Sequence, residues 1–112
     1  MTNLQKIQEY GYSIVLVQNQ TLEICLAAVK RDGLALQFVK TQTPEVCTAA
    51  VKQNGYALQY VQNQTPEIVF IAGQQEKFTV KYVQEQFKFL FRKEHEGLTL
   101  NEIKALVPEM FL

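Results

Sequence analysis

The sequence predicts an all-α fold, a compact solenoid of αα-hairpin repeats with a degenerate repeat at its start and a helical cap at its end. Two observations predict it. One 22-residue pattern occurs three times without a gap, and each copy opens with the residues of a helix N-terminus. A fixed period of this length is typical of stacked supersecondary units.

We predict a single repeat domain over residues 1–112. The copies, called copy 1, copy 2 and copy 3 below, span residues 21–42, 43–64 and 65–86. They read TLEICLAAVKRDGLALQFVKTQ, TPEVCTAAVKQNGYALQYVQNQ and TPEIVFIAGQQEKFTVKYVQEQ. Residues 1–20 are a degenerate copy that caps the start of the stack, as terminal repeats do, and residues 87–112 form the C-terminal cap.

The first helix of a repeat is clearest in copy 2. Thr43 is a suitable N-cap, Pro44 has no N–H to leave unpaired at the first helical position, and Glu45 places a negative charge near the positive helix end. We expect the helix to end near Asn54, because Gly55 can adopt the left-handed conformation that follows many helices.

The second helix of a repeat is predicted over YALQYV in copy 2. In a helix, Ala57, Leu58 and Val61 share a face that can pack on the first helix. A strand here would instead give a short α/β solenoid. Polar and apolar residues do not alternate strictly, however, and Ala-Leu-Gln favours helix, so the all-helical alternative is preferred.

Copy 3 departs from the pattern. Lys77 replaces the turn glycine, and Gly73 stands where the other copies have valine. A different group must therefore pack at this position, and the apolar segment FKFLF at residues 87–91 supplies it. We expect this segment to begin a helix that Gly97 breaks.

A last helix is predicted over residues 100–107. Thr99 and Glu102 have the spacing of a capping box, and Pro108 ends the helix.

Cys25 and Cys47 occupy the same position in successive copies, and Val69 takes that position in copy 3. Equivalent positions of stacked helices lie about 8–10 Å apart. A disulfide needs Cα atoms within about 7 Å, so we predict two buried free thiols.

The string C-x-A-A-V-K-x-[ND]-G-x-A-L-Q-[FY]-V occurs at residues 25–39 and again at residues 47–61. It resembles the repeat of the domain of unknown function (DUF) 4116 family. The resemblance implies a tandem helical repeat. It implies no activity and no catalytic residues, because none is assigned to that family.

Composition bounds the function. Lys and Arg number 11, as do Asp and Glu, so the formal net charge is zero and no net field attracts nucleic acid or an anionic membrane. No apolar run approaches the roughly 20 residues of a membrane helix, and the first residues lack a secretory pattern. The expected location is cytoplasmic, in a bacterium or in a host cell.

The residues indicate no catalytic, metal or cofactor site. His95 is the only histidine, and we expect it to be a solvated residue near a helix end. The sequence contains neither a P-loop nor a dinucleotide fingerprint. We therefore predict that the protein is not an enzyme and has no cofactor.

The candidate partner-binding residues come from the second helices. Two columns of large side chains, spaced four residues apart within each copy, are expected to share a face beside columns of glutamine. The candidates are Tyr12, Phe38, Tyr56, Tyr60, Phe78, Tyr82, Gln59 and Gln62. Alternatively, the rings fill the seams between repeats and the glutamines only keep the surface solvated.

The predicted function is a non-catalytic protein-binding repeat module. It would act as an adaptor or as an inhibitor of a larger partner protein, whose identity the sequence does not specify. The alternative is a helical repeat protein that binds nucleic acid one base per repeat. Zero net charge disfavours this alternative, because such proteins carry basic surfaces.

Overall fold

The computed structural model describes residues 1–10 and 13–112. Those residues are helical and include no β-strand, so the α/β alternative is wrong. The α-helices are α1 (Asn3–Tyr10), α2 (Leu22–Arg31), α3 (Pro44–Gln53), α4 (Pro66–Gln75) and α5 (Leu100–Leu106). The 3₁₀ helices are η1 (Ile14–Leu16), η2 (Gly33–Phe38), η3 (Gly55–Tyr60), η4 (Lys77–Tyr82), η5 (Glu85–Phe91), η6 (Lys93–His95) and η7 (Pro108–Phe111).

The first helix of each copy forms as predicted. In copy 2, the hydroxyl of Thr43 accepts a hydrogen bond from the backbone N–H of Val46 at 3.2 Å, and Pro44 is the first residue of α3. The N-cap threonines of copies 1 and 3 make the equivalent bond. Each cap satisfies one backbone donor that a helix N-terminus otherwise leaves unpaired.

The second helix of each copy is a 3₁₀ helix, so the prediction of an α-helix is wrong in detail. In copy 2, the side chain of Asn54 accepts a hydrogen bond from the backbone N–H of Tyr56 at 3.0 Å and opens η3. The helix ends six residues later because Val61 is extended. Short pieces are typical of 3₁₀ helices, and packing holds a segment too short for a stable α-helix.

The turn glycine has a different role from the predicted one. Among the described residues, Gly97 is the glycine with a positive φ, so Gly33 and Gly55 do not take the left-handed conformation. They are required by close approach to the next copy. A Cβ on Gly55 would lie 2.8 Å from the carbonyl oxygen of Ala72, and one on Gly33 would strike the carbonyl oxygen of Ala50.

Consecutive helices contact one another, as in a compact helical repeat. The contacts join α1 to α2, α2 to α3 and α3 to α4, and they join η1, η2, η3 and η4 in the same order. The molecule is elongated, with extents of 51 × 24 × 20 Å. The core lies between these two rows of helices and includes the predicted apolar face, Ala57, Leu58 and Val61.

The C-terminal segment packs on copy 3 as expected. A Cβ on Gly73 would overlap the ring of Phe91, so the missing side chain of Gly73 makes room for that ring. The prediction that Gly97 breaks this helix is wrong. The segment is a 3₁₀ helix that ends at Phe91 because Arg92 is extended, and Gly97, with φ of +82°, lies in a later turn.

The last helix begins where predicted. The Thr99 backbone N–H donates to Glu102 Oε1 at 3.0 Å, and the Glu102 backbone N–H donates to the Thr99 hydroxyl at 3.2 Å. The capping box is therefore confirmed, and α5 ends at Leu106 with Val107 as its C-cap. Hydrogen bonding by Thr99, first from its backbone and then from its side chain, lowers the pKa of the Glu102 carboxyl group.

Candidate interaction surfaces

The predicted aromatic residues separate into two groups. Phe78 is 73% exposed and Phe38 is 41% exposed. Tyr60 and Tyr82 are half-buried and pack against the core, which is the seam-filling alternative for these two rings. Tyr56 is half-buried as well. Tyr12 lies outside the described residues.

The two aromatic columns do not share a face. A 3₁₀ helix has about three residues per turn, so residues three apart are eclipsed and residues four apart are turned by about 120°. Tyr56 is therefore eclipsed by Gln59 rather than by Tyr60. The Gln59 side chain donates from Nε2 to the carbonyl oxygen of Tyr56 at 3.1 Å and so closes back on its own helix.

The row formed by η1, η2, η3 and η4, called the 3₁₀ row below, exposes large apolar side chains. Leu16 at its start is 63% exposed, and Phe38 and Phe78 follow in η2 and η4. Adjacent helices of the row are in contact. Leu16 and Phe38 occupy equivalent positions of η1 and η2, whereas Phe78 belongs to the other aromatic column and is turned from that position by about 120°.

The glutamines that end the degenerate copy, copy 1 and copy 2 are not a solvated column, which corrects that expectation for these three residues. Gln42 Nε2 donates to the carbonyl oxygen of Tyr60 at 2.7 Å, and Gln42 Oε1 accepts from the backbone N–H of Gln62 at 3.0 Å. Gln20 and Gln64 bridge the same backbone positions of their own next copies. We call this bidentate arrangement the glutamine clasp.

The clasp reaches the backbone of Gln62, whose side chain is exposed. Its sequence signal was present, because glutamine recurs immediately before the N-cap threonine at the 22-residue period. Gln86, the next residue in that column, bonds instead to the side chain of Gln84 at 3.1 Å. The clasp therefore ends with copy 3.

Cys25 and Cys47 are buried free thiols, as predicted. Burial raises the pKa of both, so they are protonated and weakly nucleophilic at neutral pH. The Cys47 thiol donates to Oε1 of Gln42 at 3.4 Å. The cysteine position is thus tied to the glutamine clasp.

His95 is not a solvated residue, contrary to the expectation. It is 6% exposed, its Nδ1 lies 2.6 Å from the carbonyl oxygen of Phe89, and its ring meets that of Phe89 edge-on. A carbonyl oxygen only accepts, so Nδ1 carries the proton in this bond. Sequence reasoning missed this contact because nothing local to His95 indicates it.

Copy 3 and the C-terminal segment enclose a cleft of about 630 Å³, called the C-terminal cleft below. Its apolar lining includes Phe70, Val80, Leu90, Phe91 and Leu98, and its charged or titratable lining residues are Lys77, Arg92, Lys93, His95 and Glu96. A second, open groove of about 620 Å³ lies over α2 and α3 and is lined in part by Lys30 and Lys52.

Within residues 1–10 and 13–112, no group of three or more His, Cys, Asp or Glu side chains is placed to hold a metal ion. The same described part of the chain has no helix that is long and apolar enough to cross a membrane.

The family comparison agrees with the resemblance. The family model described as "Domain of unknown function (DUF4116)" matches residues 21–65, which cover copies 1 and 2. Neither the comparison with curated proteins nor the comparison with solved structures finds a match.

Proposed function

We propose that this chain is a non-catalytic protein-binding module, which acts as an adaptor or as an inhibitor that covers a larger partner. The observation that carries the proposal is the exposure of Leu16, Phe38 and Phe78 along the 3₁₀ row. Exposed large apolar side chains that recur along one row of helices offer the apolar contact area that interaction sites use.

Aromatic rings at such positions provide much of the energy of protein contacts. Tyr60 and Tyr82 lie in the same row and are half-buried. One side of each ring packs against the core, and the exposed part of the ring can contact a partner. Tyrosine suits this position because its ring packs while its hydroxyl stays in water. A row of short helices offers a partner one contact set per copy.

The test uses the wild-type chain and a Phe38→Ser/Phe78→Ser variant as baits in lysate of the source cell, with and without nuclease. Leu106→Ser is the matched control, because Leu106 is also an exposed large apolar residue but lies in α5. Thermal melting of all three proteins establishes that the baits are folded.

A protein retained in stoichiometric amount after nuclease treatment, lost with the Phe38→Ser/Phe78→Ser variant and kept with Leu106→Ser, supports the proposal. Identical recovery by all three baits contradicts it for the 3₁₀ row. Recovery that disappears with nuclease would replace it with the nucleic-acid alternative. Reconstitution of the purified pair, followed by size-exclusion chromatography, then gives the stoichiometry.

A further inference from the structure

The C-terminal cleft combines an apolar interior with an excess of cations. Lys77, Arg92 and Lys93 line it, against the single carboxylate of Glu96. The whole chain has no net charge, so this excess is local. None of the three cations is in an ion pair within the part of the chain that the structure describes.

Two of these three cations stand at the start of a 3₁₀ helix. Lys77 is the first residue of η4, and Lys93 is the first residue of η6. Lys77 stands at the position that is glycine in copies 1 and 2, so the cleft has a cation where those copies have a close backbone contact.

His95 adds a directional group to the same cleft. Its Nδ1 is committed to the carbonyl oxygen of Phe89, which leaves Nε2 as the free ring nitrogen. His95 is buried but lines the cleft. In the neutral ring this nitrogen accepts a hydrogen bond, which a backbone N–H can donate.

We propose that the C-terminal cleft binds a short acidic peptide segment of a partner protein, one that carries a large apolar side chain beside Asp or Glu. The apolar side chain would fill the interior near Phe70 and Leu98, and the carboxylates would pair with Lys77 and Lys93. The volume lies within the roughly 300–1,000 Å³ of ligand-holding clefts. The backbone N–H groups of an extended peptide could also donate a hydrogen bond to Nε2 of His95.

The C-terminal cleft shares η4 with the 3₁₀ row, but neither Phe38 nor Phe78 lines it, so this proposal does not require those two rings to bind a partner. The probe is a fluorescein-labelled synthetic peptide of Leu, Phe, Glu and Asp, titrated with the full chain and followed by fluorescence anisotropy. A second peptide, with every carboxylate replaced by its amide, keeps the apolar side chains and removes the charge.

The test variant is Lys77→Gln/Lys93→Gln, and the matched control is Lys30→Gln/Lys52→Gln, which removes the same charge from the groove over α2 and α3. All four lysines are exposed. We expect the test variant to bind the acidic peptide about tenfold more weakly and the control to bind as the wild type does. Added salt should weaken wild-type binding, because the charges involved are exposed.

Equal loss in both variants, equal affinity for the acidic and amide peptides, or no binding of the acidic peptide would each overturn the proposal. A single-stranded RNA oligonucleotide that binds more tightly than the peptide, and loses affinity only in the test variant, would assign the cleft to nucleic acid instead. A Phe38→Ser/Phe78→Ser variant should bind the peptide normally, so failure of this proposal is separable from failure of the proposed function.

Discussion

Junctions between copies and the junction with the C-terminal segment are made from different parts of the chain. Between copies, glycine and glutamine contact the main chain of the next copy, in addition to the apolar side chains of the shared core. Gly55 lies against a carbonyl oxygen of the next copy, and the glutamine clasp binds backbone groups of the next copy. After copy 3, a side chain makes the contact, as the ring of Phe91 covers Gly73.

The difference explains why one junction repeats and the other does not. Because one side of each contact is a backbone group, it needs only glycine or glutamine to recur at the 22-residue period, and the other substitutions between copies leave it intact. A side-chain junction depends on one particular fit and occurs once. The irregular junction is also where the C-terminal cleft forms, because side chains of unequal size leave space that a regular backbone contact does not.

The largest effect on stability is expected at the junction between copy 3 and the C-terminal segment, when the residue of copies 1 and 2 is introduced there. Gly73→Val restores the valine of copies 1 and 2 but overlaps the ring of Phe91, and we expect it to lower the free energy of unfolding by about 3 kcal/mol. Phe91→Ala alone should lower it by about 2 kcal/mol, since this ring is only half-buried.

The double variant Gly73→Val/Phe91→Ala should be more stable than the sum of the single effects by about 1 kcal/mol or more. Urea unfolding of the four proteins in this cycle measures the coupling. Strictly additive effects would show that Phe91 does not occupy the space above Gly73.

A smaller effect separates two uses of glycine. Gly55→Ala should destabilise by about 2 kcal/mol, because its Cβ would press on the carbonyl oxygen of Ala72. Gly97→Ala should destabilise by about 1 kcal/mol through its positive φ alone, since a Cβ there meets nothing within 4 Å.

Asparagine distinguishes the two causes, because it tolerates the left-handed conformation but still has a Cβ. Thermal melting should find Gly97→Asn close to the wild type and Gly55→Asn as destabilised as the alanine variant. If Gly55→Asn melted close to the wild type, Gly55 would instead be needed for the left-handed turn that the sequence predicted.

Gln42→Ala tests the glutamine clasp. It removes two hydrogen bonds to the backbone of the next copy and a weaker one from the Cys47 thiol, and should lower the free energy of unfolding by about 1–2 kcal/mol. Gln86→Ala is the matched control at the same place in the repeat, and its effect should stay within about 0.5 kcal/mol because Gln86 bonds only to an exposed side chain. Similar values for the two, from urea unfolding, would contradict a structural role for the clasp.

The smallest effect is expected at the ion pair that joins α4 to α5. Lys104 Nζ lies 3.1 Å from Glu67 Oε1, and both side chains are substantially exposed. The pKa of Glu67 is lowered, first by the hydrogen bond from its own backbone N–H and then by Lys104. A lowered pKa contributes stability above the ordinary value of about 4.3 that is lost as the pH falls through the lowered value.

Glu67→Gln should therefore lower the free energy of unfolding by less than about 1 kcal/mol at pH 7, and the difference from wild type should shrink on acidification below about pH 4. Glu45→Gln, the equivalent change in copy 2, is the control, because Glu45 is in no ion pair within the described residues. If the difference in unfolding free energy between Glu67→Gln and the wild type did not change with pH, the stabilisation would not come from the ionised Glu67 carboxylate.

Local chemistry made much of the fold predictable. The N-cap threonines, the capping box at Thr99 and the free thiols at Cys25 and Cys47 all follow from residues close together in the chain or at the 22-residue period. The packing of the FKFLF segment on Gly73 was predictable too, because an absent side chain at a core position requires a replacement.

The candidate sites were less predictable. The aromatic columns were read with the 3.6-residue turn of an α-helix, so the 3₁₀ geometry of η3 moved Tyr56 and Tyr60 onto different faces. The glutamine clasp has a periodic signal, but glutamine also recurs on solvated faces, and only the neighbouring backbone distinguishes the two. Nothing in the sequence indicated that the Lys77 and Lys93 side chains would line one cleft.

By itself, the sequence determined where α2, α3, α4 and α5 begin, which face of the first helix is apolar and how often the unit recurs, because capping and helical periodicity act over a few residues. Tertiary structure decided that the second helices are 3₁₀, that Gly55 serves a close approach, that His95 is buried and that a cationic cleft forms. The 3₁₀ helices and the close approach at Gly55 depend on how closely one copy packs on the next. The burial of His95 and the cleft depend on how the C-terminal segment folds and packs on copy 3, and both kinds of contact join residues that are distant in the sequence or not marked by local residue patterns.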